Sequence, residues 1–307
     1  MVNSMNGIVN VLKPPGMTSF DVVSFMRKVL NTKKIGHTGT LDPEAAGVLP
    51  ICIGKATKVV QYLTDKQKRY RANIKFGKVT DTYDSYGKTI RESGHVIIDT
   101  GSLEEILSSF TGTISQRPPI YSALKVNGKK LYEYAREGKE VQIAERPVEI
   151  YELKLVSMEA EDEAMIDILC SKGTYIRTLC YDIGEAFGCG AYMSQLVRLG
   201  SSPFTIEDAK TLEEIKAAAE ENRLDDIIMS VEMLFKHYKS IIVKPSALSS
   251  LMNGNPLFEQ GVLQGFEGLC ENEDVSIYED DVFLGIGNVR YEADKQRLYI
   301  KVKNIFI

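Results

Sequence analysis

Gly36-His37-Thr38-Gly39-Thr40-Leu41-Asp42-Pro43-Glu44-Ala45-Ala46-Gly47-Val48-Leu49-Pro50-Ile51-Cys52-Ile53-Gly54 places one carboxylate, Asp42, between a glycine-punctuated turn and a proline. His37 stands five residues earlier, and the apolar run from Gly47 to Gly54 reads as a strand. Gly and Pro set a backbone around Asp42 that neither a helix nor a β ladder would adopt. Such a geometry presents a side chain rather than burying it. Asp before Pro is also a common turn element, so these residues alone leave a plain turn and a chemical site both open.

Outward from this stretch, Gly7 to Leu12 reads as a strand that Pro14-Pro15-Gly16 breaks. Thr18 then caps a helix, with Asp21 in the capping-box position. Val22, Phe25, Met26, Val29 and Leu30 recur at helical spacing and give that helix one apolar face. Lys55 to Leu63 reads as a short helix. From Lys68 to Gly77 the pattern alternates: Tyr70, Ala72, Ile74 and Phe76 on one face, Arg69, Arg71, Asn73 and Lys75 on the other. Asp81 to Gly94 is a polar connection and Leu103 to Phe110 a helix. Ile114 to Gly138 is basic and tyrosine-rich, carries Pro118-Pro119, and reads as a mobile excursion off the core. Tyr151–Met158 and Ala164–Cys170 are strands around an acidic turn; Thr178–Phe187 and Thr211–Glu221 are helices. Beyond about residue 240 short strands and glycines dominate, with Val282–Val289 and Leu298–Val302 as a closing hairpin. This gives two domains, 1–238 and 239–307, with 113–139 as the excursion.

The 307 residues are 44 % hydrophobic and 26 % charged, an ordinary globular balance. No apolar run approaches the ~20 residues that span a bilayer, and Met1 to Asn10 shows no basic-then-apolar leader pattern. Five cysteines without a CxxC pair, and histidines only at 37, 95 and 237, give zinc no framework. The net charge of −5 argues against a nucleic-acid partner until its distribution is read. Residues 1–80 hold thirteen Lys/Arg against four Asp/Glu, whereas residues 204–307 hold eleven against nineteen. Phosphate attraction follows the local field, so the N-terminal half is the side expected to face a polyanion.

The Gly36–Lys58 stretch resembles the signature of the TruB family of tRNA pseudouridine synthases. Further blocks follow in family order: Val11 to Ser19, Lys68-Arg69-Tyr70-Arg71, Arg117 to Lys125, and Lys172 to Leu179. The resemblance implies an α+β fold: a mixed, largely antiparallel sheet in a catalytic domain of pseudouridine-synthase type, followed by a small C-terminal β domain of PUA-like kind that binds RNA. It implies isomerisation of uridine 55 in the T-loop of tRNA, with the target base flipped out of the loop and no cofactor or metal. Asp42 is then the essential carboxylate and Arg177 the guanidinium that keeps it ionised in a dry pocket. Tyr70 stacks on the uracil, with Tyr175 beside it. Tyr175 and Arg177, two apart, would share one side of an extended segment. Leu196 lines the pocket, and His37 fills the space the flipped nucleotide leaves. Lys13, Lys58 and the tract holding Arg117, Lys125, Lys129 and Lys130 bind phosphates or support the site. The partner is the tRNA T-stem-loop, met in the cytoplasm by a monomer that needs no other protein. Each residue keeps a plainer reading: Tyr70 and Leu196 as core, His37 as a turn histidine, Arg177 as a surface arginine, the lysines as solvated charges. An alternative is an RNA-binding, tRNA-folding chaperone in which catalysis is secondary. A two-carboxylate hydrolase using Asp42 and Glu44 is weaker, because nothing in the sequence sets Glu44 opposite a substrate.

Overall fold

A computed structural model describes residues 5–307; residues 1–4, where the stretch read for a leader begins, lie outside the described residues. Strand β1 (Gly7–Lys13) leads through the Pro-Pro-Gly break to helix α1 (Ser19–Val29). The helix starts where the sequence predicts: Thr18 Oγ1 accepts from Asp21 N at 3.0 Å, and Asp21 Oδ2 accepts from Thr18 N at 2.8 Å. Strands β2 (Ile35–His37) and β3 (Ala46–Ile53) flank the Asp42 loop. A 3-10 turn (Gly54–Val59) precedes helix α2 (Val60–Thr64), so the predicted Lys55–Leu63 helix is two unlike pieces.

Strand β4 (Lys68–Phe76) alternates buried and half-buried along its whole length, as the sequence pattern requires. The polar connection predicted after it contains a strand of its own: β5 (Lys78–Thr80) pairs with β6 (Thr89–Glu92) as a small hairpin. Helix α3 (Thr100–Ser109) and strand β7 (Gly112–Gln116) follow. That strand takes the first residues of the stretch read as an excursion. The rest holds a miniature hairpin, β8 (Lys125–Val126) with β9 (Lys129–Lys130), and helix α4 (Leu131–Arg136), whose Leu131 is fully buried. Strands β10 (Arg146–Ala160) and β11 (Glu163–Cys170), helix α5 (Ile176–Phe187), strands β12 (Ala191–Ser201) and β13 (Phe204–Thr205), and helix α6 (Leu212–Glu220) complete this part.

These strands make one nine-stranded sheet in the order β1-β3-β12-β4-β11-β10-β7, with β2 paired to β3 and β13 to β12. All pairs are antiparallel except β3 with β12. The mixed, largely antiparallel sheet implied by the resemblance is therefore present. The buried faces of β4 and β11 pack against α3 and α5 through Ile74, Ile166, Leu103, Leu179 and Ile183. Helix α1 packs a second cluster against β1 and β3 through Val22, Val23 and Met26. The parallel junction puts β12 alongside the start of β3, just past Asp42. Strand β12 itself has no counterpart in the sequence reading.

The C-terminal part is a five-stranded sheet in the order β15-β14-β16-β17-β18, formed by β14 (Lys239–Val243), β15 (Val262–Gln264), β16 (Asp274–Glu279), β17 (Val282–Glu292) and β18 (Arg297–Ile305), with helix α7 (Pro245–Met252) between its first two strands. It has its own core of Ile241, Val243, Val275, Ile277, Leu284, Val289 and Ile300.

Candidate active site

Asp42 lies in the loop between β2 and β3, and backbone bonds fix the loop on both sides of it. Leu41 N donates to Ser19 Oγ at 2.9 Å, and Ser19 is the first residue of α1. On the far side Pro43 O accepts from Gly16 N at 3.0 Å and from Lys13 Nζ at 2.8 Å. The Thr18 capping box thus places Ser19, and Ser19 places the loop. Gly47 then has a positive φ of +113°, and a Cβ there would stand 2.2 Å from the Arg198 carbonyl oxygen. Only glycine lets β3 approach β12 this closely.

Arg177, 6 % exposed, forks onto Asp42: Nε stands 2.9 Å from Oδ2, and Nη2 donates to Oδ1 at 3.3 Å. The rest of the guanidinium is engaged by Thr82 O at 3.1 Å, Tyr121 O at 3.0 Å and Asp84 Oδ2 at 3.6 Å. A planar fork suits this bidentate grip. Tyr175 and Arg177 do not share an extended segment, contrary to the expectation from their spacing. Tyr175 is the extended N-cap of α5 and Arg177 already belongs to the helix. The missing side-chain cap is replaced by Gln116 of β7, buried and paired twice with Tyr175. Its Oε1 accepts from Tyr175 N at 2.7 Å, and its Nε2 donates to Tyr175 O at 3.0 Å. The Arg146 guanidinium lies over the Tyr175 ring, 5.1 Å from its centre.

Asp42, Tyr70, Tyr175, Arg177 and Leu196 all line one cavity of about 310 Å³, with Lys68, Ser122 and Arg198 in the same wall. The site residues proposed from the sequence as chemical thus meet in one place. One expectation is corrected: the Asp42 side chain is 40 % exposed, so the carboxylate is only partly desolvated in the free protein. It opens between this cavity and a neighbouring one of about 560 Å³ that holds Glu44, Asp84, Tyr86 and Gln195. Glu44 is absent from the first cavity, so the carboxylate it could pair with Asp42 stands on the neighbouring side, away from Tyr70 and Tyr175. Tyr70 is 9 % exposed, and burial holds its phenol above the usual tyrosine range, so it stays a neutral hydroxyl. Burial also pushes the Lys68 ammonium down to about 8, with the Arg198 charge as the second cause. Two buried hydroxyls of the wall, Thr38 Oγ1 and Ser122 Oγ, have no hydrogen-bond partner among the described residues.

Other predicted residues are placed elsewhere. Lys13 is fully buried, and its Nζ donates to Pro14 O at 2.9 Å, Met17 O at 2.5 Å and Pro43 O at 2.8 Å. That leaves no donor for a phosphate; its contribution is to hold the carbonyl beside Asp42. Burial lowers its ammonium to about 8. His37 adjoins the cavity run without lining it. Its Nδ1 accepts from Gly39 N at 3.3 Å, and burial first, then Arg198, lower its imidazole below the usual range. Lys58 donates to Ile305 O of the C-terminal sheet at 3.1 Å. Arg117 pairs with Glu145 at 3.1 Å. Lys125 and Lys129 sit on the small hairpin, where Lys129 pairs with Glu137 and stands over the Tyr134 ring. Lys130 caps α4 and stands over Tyr132. Asp84, Gln116, Lys68 and Arg198 escape the sequence reading. Asp84 sits in the tight turn of the β5–β6 hairpin, where its Oδ1 accepts from Thr82 Oγ1 at 2.6 Å and Tyr86 N at 3.0 Å. A Thr-x-Asp-x-Tyr turn of this kind is the signal that could have found it.

Two family models match the chain in succession. The TruB family pseudouridylate synthase N-terminal domain covers residues 27–176, and the tRNA pseudouridylate synthase B C-terminal domain covers 177–236. The chain is 47 % identical over 298 residues to a tRNA pseudouridine synthase B of Alkaliphilus oremlandii, spanning 97 % of each. It is 42 % identical over 306 residues to one of Clostridioides difficile, spanning 99 % of this chain and 100 % of the relative. Among solved structures it resembles a chain of a Cbf5-Nop10-Gar1 complex, with TM-score 0.72, 28 % identity, and coverage of 98 % of this chain and 85 % of that one. A chain of an H/ACA RNP bound to a substrate RNA containing 2′-deoxyuridine matches with TM-score 0.71, 26 % identity and the same coverage.

Proposed function

Because this chain belongs to the TruB family of pseudouridylate synthases, we propose that it converts uridine 55 in the T-loop of tRNA to pseudouridine on a base flipped out of the loop. It is a tRNA pseudouridine synthase, an isomerase. The reaction breaks the N1–C1′ bond and joins C5 to C1′ in the same nucleotide, so it needs no group donor. A carboxylate beside the sugar suits it, because the anomeric carbon becomes electron-poor as the bond breaks.

The observation that carries the reading is the Arg177 fork on Asp42, facing a cavity that Tyr70, Tyr175 and Leu196 also line. Asp42 is the essential group at the reacting carbon. Arg177 keeps it ionised as the arriving base expels water. Tyr70 stacks on the uracil with its hydroxyl protonated, Tyr175 bounds the ring's edge, and Leu196 closes the apolar side. His37 inserts where the flipped nucleotide was, offsetting part of a cost of a few kcal/mol. Arg117, Lys125, Lys129 and Lys130 meet phosphates from the 113–139 tract, and Lys58 does so from the seam with the C-terminal PUA-like sheet. We read the enzyme as a cytoplasmic monomer acting without a protein partner. Among the described residues no helix is long and apolar enough to cross a membrane.

Asp42→Asn, assayed on a T-stem-loop in single turnover, is expected to slow isomerisation at least about a thousandfold while RNA affinity and melting temperature hold. A wild-type rate would end the assignment of Asp42. Pseudouridine appearing at another position of tRNA, with none at 55, would end the assignment of the target.

A further inference from the structure

The cavity holds two buried guanidinium groups, and they are balanced differently. Arg177 faces Asp42 and Asp84. Arg198, 1 % exposed, has no carboxylate within salt-bridge distance among the described residues. Its bonds run to carbonyl dipoles, Nε to Val48 O at 2.6 Å and Nη2 to Gly39 O at 3.3 Å. A guanidinium left without a counter-ion in a protein interior is poorly compensated for its lost hydration. Burial lowers the basicity of Lys68, His37 and Lys13, and the nearby Arg198 charge lowers it further. That charge also reaches the Tyr70 phenol, where it opposes the effect of burial. The cavity wall therefore carries, besides the Asp42–Arg177 pair, the Arg198 charge with Lys68 and no second carboxylate.

Resting on the isomerase reading above, we propose that Arg198 is a catalytic residue that stabilises the negative charge the uracil carries while it is detached from the sugar. When the N1–C1′ bond breaks, its electron pair leaves with the base, whose charge spreads onto O2 and O4; the sugar carbon is left electron-poor beside Asp42. The ring turns, its electrons form the C5–C1′ bond, the hydrogen on C5 departs as a proton, and N1 takes one up. The ring is neutral in substrate and in product, so a positive charge facing it acts most strongly on the anionic state between them. That is the condition under which an electrostatic contact speeds a reaction. A fixed guanidinium with no competing carboxylate meets it without reorganising.

The test compares Arg198→Gln with wild type on T-stem-loops carrying uridine or 5-fluorouridine at the target position, following loss of the starting nucleotide in single turnover. Fluorine withdraws electrons and stabilises the same anion, so it substitutes in part for the missing charge. The expected result is an about hundredfold loss with uridine, shrinking to about tenfold or less with 5-fluorouridine, at unchanged RNA affinity. An equal loss on both RNAs, or no loss on either, overturns the proposal. Should Arg198→Gln fail to fold, Arg198→Lys, which keeps a cation but loses the fork, carries the same comparison: a smaller loss with 5-fluorouridine supports the proposal, and equal losses or none overturn it. A wild-type protein that consumes neither RNA defeats the parent reading instead.

Discussion

Arg177 divides five N–H groups among a carboxylate fork, a second carboxylate and two backbone carbonyls from separate loops. A lysine offers a single point charge and reaches at most part of this set. Arg177→Lys is therefore expected to retain the fold yet lose about hundredfold in single-turnover rate, with RNA affinity within about threefold of wild type; a rate within threefold of wild type would show that charge alone suffices. Lys68 tests the opposite situation, a cation held where cations are disfavoured. Its Nζ donates to Thr64 O and Lys66 O, both at 2.6 Å, yet burial keeps its pKa near 8, below the ordinary 10.5. Below pH 8 the ammonium is charged folded and unfolded, and the full burial cost is present. Between 8 and 10.5 the unfolded chain binds more protons than the folded one, so stability rises with pH. From pH 7 to 9.5 wild type should gain about 2 kcal/mol relative to Lys68→Met in urea unfolding. A wild-type-to-variant difference that stays constant across that range would show that Lys68 is not depressed.

Strand β3 depends on one glycine for its junction with β12. At Gly47 an alanine Cβ would meet the Arg198 backbone at 2.2 Å for O and 2.6 Å for N, at a φ of +113° that an L side chain rarely adopts. Gly47→Ala is expected to cost about 3 kcal/mol in urea unfolding and to slow isomerisation by displacing Arg198 from the cavity wall. A loss under about 0.5 kcal/mol would show that the parallel junction gives way easily. This glycine lies in the stretch that was legible from sequence, and so do the Thr18 capping box, the alternation of β4 and the closing hairpin of the C-terminal sheet. Each of these is written in local periodicity or cap chemistry. Strand β12 was illegible because its period is broken. Ladder irregularities between Met193 and Gln195, and again between Arg198 and Gly200, shift the phase, so the buried set runs Ala191, Met193, Leu196, Arg198, Ser201. A bulge inserts one residue and defeats a period-two reading, and Arg198 then looks like a charge on an outward face. Gln116 and Asp84 were missed for another reason. Their partners lie 59 and 93 residues away, at Tyr175 and Arg177; the local turn around Asp84 marks a bend and not its distant guanidinium.

The two sheets are joined through an aromatic seam at Phe235, the residue that ends the 3-10 turn Val231–Leu234 ahead of β14. Its ring, 2 % exposed, lies 5.5 Å from Tyr62 of α2 on one side and about 6 Å from Phe283 and Phe306 of the C-terminal sheet on the other. The same cluster takes in Ile8, Val48 and Cys52 from β1 and β3. Polar ties run beside it: Ser276 Oγ donates to Phe235 O at 3.1 Å, and Asn304 Nδ2 to Tyr62 OH at 3.3 Å. Lys58, read from the sequence as a phosphate ligand, closes the seam at Ile305. The acidic C-terminal sheet is thereby fixed against the strands that carry the Asp42 loop. Because the C-terminal sheet keeps a separate core, loosening the seam should uncouple the sheets without unfolding either at once. A core of that size is marginal alone. Phe235→Ala is expected to cost about 3–5 kcal/mol, to split one calorimetric transition into two with the C-terminal sheet melting first, and to weaken tRNA binding more than binding of an isolated T-stem-loop. A single unshifted transition would show that the seam carries no coupling, and an equal loss for both RNAs would show that the C-terminal sheet does not reach beyond the stem-loop.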